Sequence, residues 1–284
     1  MTEIASTATL DRIPSLKKSE RMPVLFVGHG SPMNAIEDNE YRRSWQTLGA
    51  QFGSTLQRPQ LILCISAHWL TKGWWLTGMA QPKTIHDFGG FPQELFDQQY
   101  PAPGDPDAAQ AISGLVRQRQ SAPVGIDGAE WGLDHGAWSV LKPMFPDADI
   151  PVIQLSMDYG RPPEEHYALA RQLKALRERG VLIVGSGNIV HNLRAARWSG
   201  ADNEGYDWAL EFDTWAGEHI AQGRLDALHD FQKLGALALQ AHPTYEHYLP
   251  LLYAAGAVDA TEPPRFFNTS FQLASIAMRS VIWG

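Results

Sequence analysis

Short apolar runs that end in glycine or polar loops recur along the chain. Buried strands are predicted over PVLFVGHGSP, QLILCISAHWL, IPVIQLSM and VLIVGSGNIVHN, with a further strand in WWLTGM. The apolar residues in these runs are largely continuous instead of alternating with polar ones. This pattern is typical of central parallel strands that are covered on both faces.

Segments with helical spacing separate these strands. They include NEYRRSWQTLGAQF, DPDAAQAISGLVRQRQ with Asp105 as its N-cap, PPEEHYALARQLKALRERG, and stretches near residues 203–221 and 224–240. The tail SFQLASIAMRSVIWG is predicted as a closing strand, with a helix as the alternative. Strands that alternate with helices predict an α/β fold: a single domain whose central sheet, mostly parallel or mixed, is flanked by helices. We expect a flexible N-terminal tail over residues 1–21 and this domain over residues 22–284.

Composition narrows the chemistry. The 284 residues carry a net charge of −8, with one cysteine and ten histidines. A single cysteine excludes an internal disulfide and a thiolate-rich zinc site, and it favours a cytoplasmic protein. The acidic balance disfavours nucleic acid as a partner, and no apolar run reaches the ~20 residues that a membrane helix needs. Any metal site must therefore use histidine, aspartate or glutamate.

Three histidines follow predicted strands directly: His29 in GHGSP, His68 in SAHW and His191 in GSGNIVHN. Ligands of open α/β sheets bind beyond the carboxyl ends of the strands, so these side chains are expected to converge. Imidazole is the commonest metal-binding side chain, and the strand ends therefore predict a metal site. His135 lies in the loop WGLDHGAW. In AHPTYEHYLPLL either His242 or His247 could face the same cleft.

The other candidates are weaker. His86 in HDFGGFP could line a pocket with Phe88 and Phe91, or cap a turn. Three further histidines are expected to be solvated: His166, His219 and His229. Cys64 lies inside a strand and is predicted to be inert, and the chain has no nucleotide-binding glycine loop and no G-x-S-x-G motif.

Taken in order, the motifs GHGSP, SAHW, HDFGGFP, LDHGAW, GSGNIVHN and HPTYEHYLPLL resemble those of the class III extradiol ring-cleavage dioxygenases. The similarity is greatest to the branch of 4,5-DOPA extradiol dioxygenase-like proteins, and it runs from about Met22 to the C-terminus. The resemblance implies a mononuclear metal at the carboxyl edge of the sheet, held by His29 and His68. In the wider superfamily the third ligand is a glutamate near the start of a late helix, and His247 occupies that position here.

The resemblance also implies two roles for His191, as a further metal ligand and as the acid–base histidine, and it places His135 beside the substrate. Glu246 precedes His247, but neighbouring residues of a helix point about 100° apart, so we expect His247 to be the ligand. Aromatic side chains flank the motifs and are expected to line the substrate pocket: Trp69, Phe88, Phe91, Trp131 and Trp138. We predict substrate contacts from His86, Phe88 and Trp138.

The function implied by the resemblance is an extradiol dioxygenase that opens a catechol ring, DOPA-like in kind, with O2 and Fe(II). Replacing the superfamily's carboxylate by His247 makes the site richer in nitrogen, so Zn(II) is also a plausible bound metal. Two alternatives stay open on the same fold: a zinc-dependent hydrolase, and a relative that binds a ligand without catalysis.

Overall fold

The computed structural model describes residues 16–118, 122–198 and 204–284. Its centre is a six-stranded sheet made of β1 (Val24–Gly28), β2 (Leu61–Ser66), β6 (Val152–Gln154), β8 (Val181–Gly187), β9 (Pro264–Phe267) and β12 (Ser280–Trp283). The strands lie in the order β6-β2-β8-β1-β12-β9. The first four run parallel, whereas β12 is antiparallel to β1 and β9 is antiparallel to β12. The sheet is mixed, and the predicted α/β class is confirmed.

The other strands form small pairs outside this sheet. They are β3 (Leu70–Thr71) with β7 (Met157–Asp158), β4 (Trp75–Thr77) with β5 (Gly125–Asp127), and β10 (Phe271–Gln272) with β11 (Ile276–Ala277). The strand predicted in WWLTGM therefore exists as β4 but lies outside the central sheet. The C-terminal segment forms strands, as predicted, and β12 lies in the sheet between β1 and the edge strand β9.

Eight α-helices surround the sheet in the described part of the chain: α1 (Glu40–Gly49), α2 (Gln93–Phe96), α3 (Pro106–Leu115), α4 (His135–Met144), α5 (Pro163–Ala170), α6 (Asp207–Ala221), α7 (Ala236–Ala241) and α8 (Leu249–Gly256). Short 3₁₀ turns lie at Pro32–Ala35, Leu173–Arg179, Leu193–Ala195 and Asp226–Leu234. Asp105 caps α3 as predicted, because its carboxylate accepts the backbone N–H of Ala108. None of these helices is both long and apolar enough to cross a membrane.

The segment predicted as one long helix, PPEEHYALARQLKALRERG, is broken. α5 ends at Ala170, a 3₁₀ turn follows, and Gly180 ends it in the left-handed conformation with φ of 71°. The prediction that His166 is solvated is wrong: the residue is buried, its Nδ1 lies 2.7 Å from the hydroxyl of Tyr253, and its ring packs against Trp74. α8 covers the face of α5 that the sequence pattern left open to solvent.

Apolar residues on both faces of the central strands build two cores. In β1, Val24 and Phe26 face one core, whereas Leu25 and Val27 face the other. The first core is covered by α3, α5, α6 and α8, and the second by α1 and α4. This two-sided covering explains why the strands read as continuous apolar runs.

The carboxyl ends of β1, β2 and β8 meet at one edge of the sheet, where Gly28 pairs with Gly187. A Cβ at Gly187 would lie 2.2 Å from the carbonyl oxygen of His247, so glycine is required for this close approach. The backbone N–H of Asn188 donates to the same carbonyl. The late segment that carries His247 is thereby held against the end of β8.

Part of the predicted N-terminal tail contacts the domain. Leu16 is buried, the backbone of Lys17 exchanges two hydrogen bonds with the side chain of Gln60, and Arg21 forms an ion pair with Asp259. Residues 16–21 therefore pack against the body of the protein, and residues 1–15 of the predicted tail lie outside the described residues.

Candidate metal centre

Three histidines converge at the carboxyl edge of the sheet. His29 follows β1, His68 follows β2, and His247 comes from the segment before α8. One ligand atom from each lies within 4.8 Å of those of the other two, and the Nε2 atoms of His29 and His68 are 3.4 Å apart. Two nitrogens that each lie about 2.1 Å from one tetrahedral metal would be about 3.4 Å apart. The spacing therefore fits two ligands of one ion.

The Nδ1 atom of each of these three histidines has a side-chain oxygen beside it. Nδ1 of His29 lies 3.0 Å from the hydroxyl of Ser186 and Nδ1 of His247 lies 3.0 Å from Oε1 of Glu246, whereas Nδ1 of His68 lies 3.4 Å from Oδ2 of Asp87. Carboxylates accept hydrogen bonds, so the proton of the His247 ring belongs on Nδ1. Partners of this kind orient a metal-binding imidazole and fix its tautomer.

The tautomer of His29 follows from a second hydrogen bond. The Ser186 hydroxyl donates to the carbonyl oxygen of Gly136 and so accepts from Nδ1 of His29. Nε2 of His29 is then unprotonated and faces Nε2 of His68. A protonated Nε2 of His68 would donate to this lone pair, whereas an unprotonated one would repel it unless a cation lies between the two nitrogens.

Burial keeps this cluster uncharged. It lowers the pKa of His29 and of His247 well below the usual value, and the neighbouring histidines lower both further. Burial and His135 also lower the pKa of His68, although Asp87 opposes them. Neutral imidazoles are the form that binds metal, so the donor set fits a divalent transition metal.

His191 lies beside this group. Its ring stacks on that of His247, with centroids 3.5 Å apart and planes 3° from parallel. Its ligand atom groups with those of Glu246 and His247, not with those of His29 and His68. Burial, and to a smaller extent the electrostatic interaction with the neighbouring His135, lowers the pKa of His191 to about 4, so the His191 ring is neutral at neutral pH.

His135 approaches from the other side, as the first residue of α4. Its ring centroid lies 3.8 Å from that of His68 and 5.9 Å from that of His29. The preceding residue, Asp134, is buried and caps α4 while it accepts hydrogen bonds from Ser66 and from the Gln154 amide. This network fixes the start of the helix and with it the position of His135.

Asp87 connects His135 to His68. Oδ1 of Asp87 accepts the backbone N–H of His135 and lies 3.0 Å from its Nδ1, at an angle too poor for a hydrogen bond, while Oδ2 faces His68. Burial opposes ionisation of Asp87, but the interactions with His135 and His68 outweigh it and bring the pKa down to about 2. Asp87 is therefore a carboxylate at neutral pH.

The three residues predicted to contact substrate form one aromatic cluster. The His86 ring lies 5.7 Å from that of Phe88 and 5.6 Å from that of Trp138, and its Nε2 lies 2.9 Å from the carbonyl oxygen of Gln98. Phe88 connects the cluster to the histidines, since its ring lies 5.5 Å from that of His135. Trp138 is fully buried and donates to the carbonyl oxygen of Ile85.

Comparison with known proteins identifies the family. Residues 23–278 match the family described as the catalytic LigB subunit of aromatic ring-opening dioxygenase. The chain belongs to the LigB family. The resemblance inferred from the motifs is thereby confirmed.

Similar LigB-family proteins cover nearly the whole chain. A 4,5-DOPA dioxygenase extradiol of Escherichia coli K12 is 48% identical over 94% of this chain and 96% of its own length. A protein of the same name from Beta vulgaris is 34% identical over 87% of this chain and 90% of its own length. The crystal structure of an uncharacterized Escherichia coli K12 protein superposes with a TM-score of 0.79, at 43% identity, over 93% of this chain and all of that one.

The remaining histidines lie outside the ligand groups formed by the described residues. His242 is buried between Phe212 and Tyr248, and its Nε2 lies 2.6 Å from the carbonyl oxygen of Ile189. Of the two late candidates, the structure brings His247 and not His242 to His29 and His68. His219 and His229 are half-buried, so the prediction that they are solvated holds in part.

Sequence reasoning missed the residues behind the histidines. Asp87 stands inside HDFGGFP between two residues that were singled out, and Ser186 stands inside GSGN. Glu246 was weighed only as a competing ligand, whereas here it bonds to His247. A carboxylate or hydroxyl residue within a histidine-bearing motif was the signal that could have indicated these partners of the histidines.

Proposed function

We propose that this LigB-family chain is a mononuclear extradiol dioxygenase that opens the ring of a catechol, DOPA-like in kind, with O2. The observation that carries the proposal is the convergence of His29, His68 and His247 at the carboxyl edge of the sheet. Relatives from Escherichia coli and Beta vulgaris that share the name 4,5-DOPA dioxygenase extradiol support a catechol of this kind as substrate.

His29, His68 and His247 would hold the metal, Fe(II) for the oxygenase reaction, with His191 next to them as a further candidate. When bound, the metal supplies Lewis acidity toward the catechol oxygens and a path for electrons to O2. Because His29 and His247 keep their protons on Nδ1, each offers an unprotonated Nε2. These ligands are buried in advance of binding, so little reorganisation is needed.

His191 and His135 would move and hold protons. An unprotonated ring nitrogen of His191 can take the proton of a catechol hydroxyl and return it to the ring-opened product, since the ring is neutral at neutral pH. His135 lies opposite, against His68, where its ring can steady the bound substrate. Phe88 would pack on the aromatic ring of the catechol, beside His86 and Trp138.

The test is oxygen uptake by protein loaded anaerobically with Fe(II) and then mixed with DOPA, caffeate or protocatechuate. We expect uptake with at least one catechol and both atoms of labelled oxygen in the ring-opened product. His29→Ala should abolish uptake, whereas His219→Ala, on α6 away from the site, should not. No uptake with any of these catechols by iron-loaded protein would contradict the proposal.

One observation favours a second candidate. Three neutral histidines form a donor set that suits Zn(II), and zinc-bound water is a hydrolytic nucleophile near neutral pH. A zinc hydrolase would turn over amides or esters with Zn(II) and without oxygen. Metal content and the requirement for oxygen, measured on one preparation, separate the two functions.

A further inference from the structure

Asp87 stands between two histidines of different proposed roles. Its Oδ2 lies 3.4 Å from Nδ1 of His68, and its Oδ1 lies 3.0 Å from Nδ1 of His135, close enough for electrostatic attraction although the angle at His135 is too poor for a hydrogen bond. The carboxylate thus presents one oxygen to the outer nitrogen of each ring. Its side chain is 18% exposed, so the carboxylate is partly shielded from water.

The position of Asp87 is itself fixed. Oδ1 accepts the backbone N–H of His135, which is 2.9 Å away. This N–H belongs to the first turn of α4, where backbone donors have no partner within the helix and a negative charge is favoured. Asp87 therefore holds the helix start as well as the two rings.

We propose that Asp87 is a positioning residue whose negative charge, placed beside the Nδ1 atoms of His68 and His135, favours protonation of both rings on Nδ1. The Nε2 of His68 is then free to bind metal, and the Nε2 of His135 is free to accept a hydrogen bond from substrate. The inference rests on the proposed function for the roles of the two histidines, but the tautomers themselves do not depend on catalysis.

The substitution Asp87→Asn should affect the two rings differently. An amide has one oxygen that accepts and one NH2 group that donates, so only one ring can keep its Nδ1 proton facing an acceptor. The other ring must then carry its proton on Nε2, where it blocks either the metal or the substrate. Loss of such a partner behind a ligand typically lowers metal affinity about 10- to 100-fold.

The direct test is nitrogen-15 NMR of the imidazoles in the metal-free protein. The signals of His68 and His135 are assigned from variants in which one of the two histidines is replaced. We expect the Nδ1-protonated tautomer for both rings in the native chain, and the Nε2-protonated tautomer for one of them in Asp87→Asn. An Nε2-protonated ring at either position of the native chain would overturn the proposal.

A competition titration with Zn(II) gives a second readout. We expect a 10- to 100-fold loss of affinity in Asp87→Asn, partial recovery in Asp87→Glu, and native affinity in Asp97→Asn, an aspartate of the same segment that bonds only to Gln93 among the contacts seen. Native affinity in Asp87→Asn would contradict a positioning role. So would a second bound zinc that this variant loses, because Asp87 would then be a ligand.

Neither readout needs substrate or oxygen. If the iron-loaded native protein fails to consume oxygen while the tautomers and the zinc affinity behave as expected, the dioxygenase proposal fails and the role of Asp87 stands. If oxygen is consumed and the tautomers do not change in Asp87→Asn, the dioxygenase proposal stands and the proposed role of Asp87 fails.

Discussion

The substitution Ser186→Ala tests how the metal centre is built. Its hydroxyl accepts from Nδ1 of His29 and donates to the carbonyl oxygen of Gly136, and all three groups are buried. Removing the hydroxyl leaves one donor and one acceptor without this partner. At about 1–3 kcal/mol for each of the two buried groups, the free energy of unfolding should fall by about 2–6 kcal/mol. The His29 ring would also lose the contact that fixes its tautomer, so Zn(II) affinity should fall about 10- to 100-fold.

Ser156→Ala is the matched control. Ser156 is equally buried, accepts the backbone N–H of Trp75 and bonds to the hydroxyl of Thr71, and among the hydrogen bonds seen it has no histidine partner. Urea unfolding of the metal-free proteins should show similar destabilisation in both variants, while a competition titration should show weaker Zn(II) binding in Ser186→Ala alone. The reasoning is refuted if Ser186→Ala changes the affinity by less than about threefold, or if both variants weaken binding equally.

Three further predictions follow from the same contacts. Glu246→Gln should weaken Zn(II) binding about tenfold, because the amide can still accept from Nδ1 of His247 but carries no charge; an unchanged affinity by competition titration would contradict this. Burial lowers the pKa of His166 to about 4, whereas the unfolded value is near 6.5, so stability falls as the pH drops between these values, by about 3 kcal/mol in all. In urea unfolding of the metal-free protein near pH 7 and near pH 4.5, His166→Gln should therefore lose less stability than the native chain, and an equal loss would contradict the assignment. Zn(II) at about 100 times its dissociation constant should raise the free energy of unfolding of the native protein by about 2.7 kcal/mol, and the same concentration should do far less for His29→Ala.

The convergence of the strand-end histidines was predictable because it depends only on topology. His29 follows β1 and His68 follows β2, two parallel strands that lie on either side of β8, and parallel strands present their carboxyl ends at the same edge. The parallel arrangement could be predicted because strands alternate with helices along the chain. The residue from the late segment was harder, because His247 reaches the edge through a close contact with Gly187 that no periodicity encodes.

The surroundings of the histidines were not predictable in the same way. Ser186 lies 157 positions from His29, and Asp87 lies 48 positions from His135. These pairs depend on how loops fold over the sheet edge and on which rotamer each side chain adopts. The prediction that His166 is solvated was wrong for a related reason. The pattern of its own helix predicts an exposed position, and only the packing of α8 onto α5 buries it.

At the proposed third ligand position, the neutral residue His247 replaces the carboxylate of the usual facial triad. The usual facial triad supplies one carboxylate directly to the metal, and His247 removes that charge from contact with the ion. In this chain two carboxylates lie beside the Nδ1 atoms of proposed ligands: Glu246 beside His247 and Asp87 beside His68. Each draws the ring proton to Nδ1 and so makes the opposite nitrogen a better donor. Because the two carboxylates stand behind different proposed ligands, His247 and His68, the combined variant Glu246→Gln with Asp87→Asn should bind Zn(II) more weakly than either single variant.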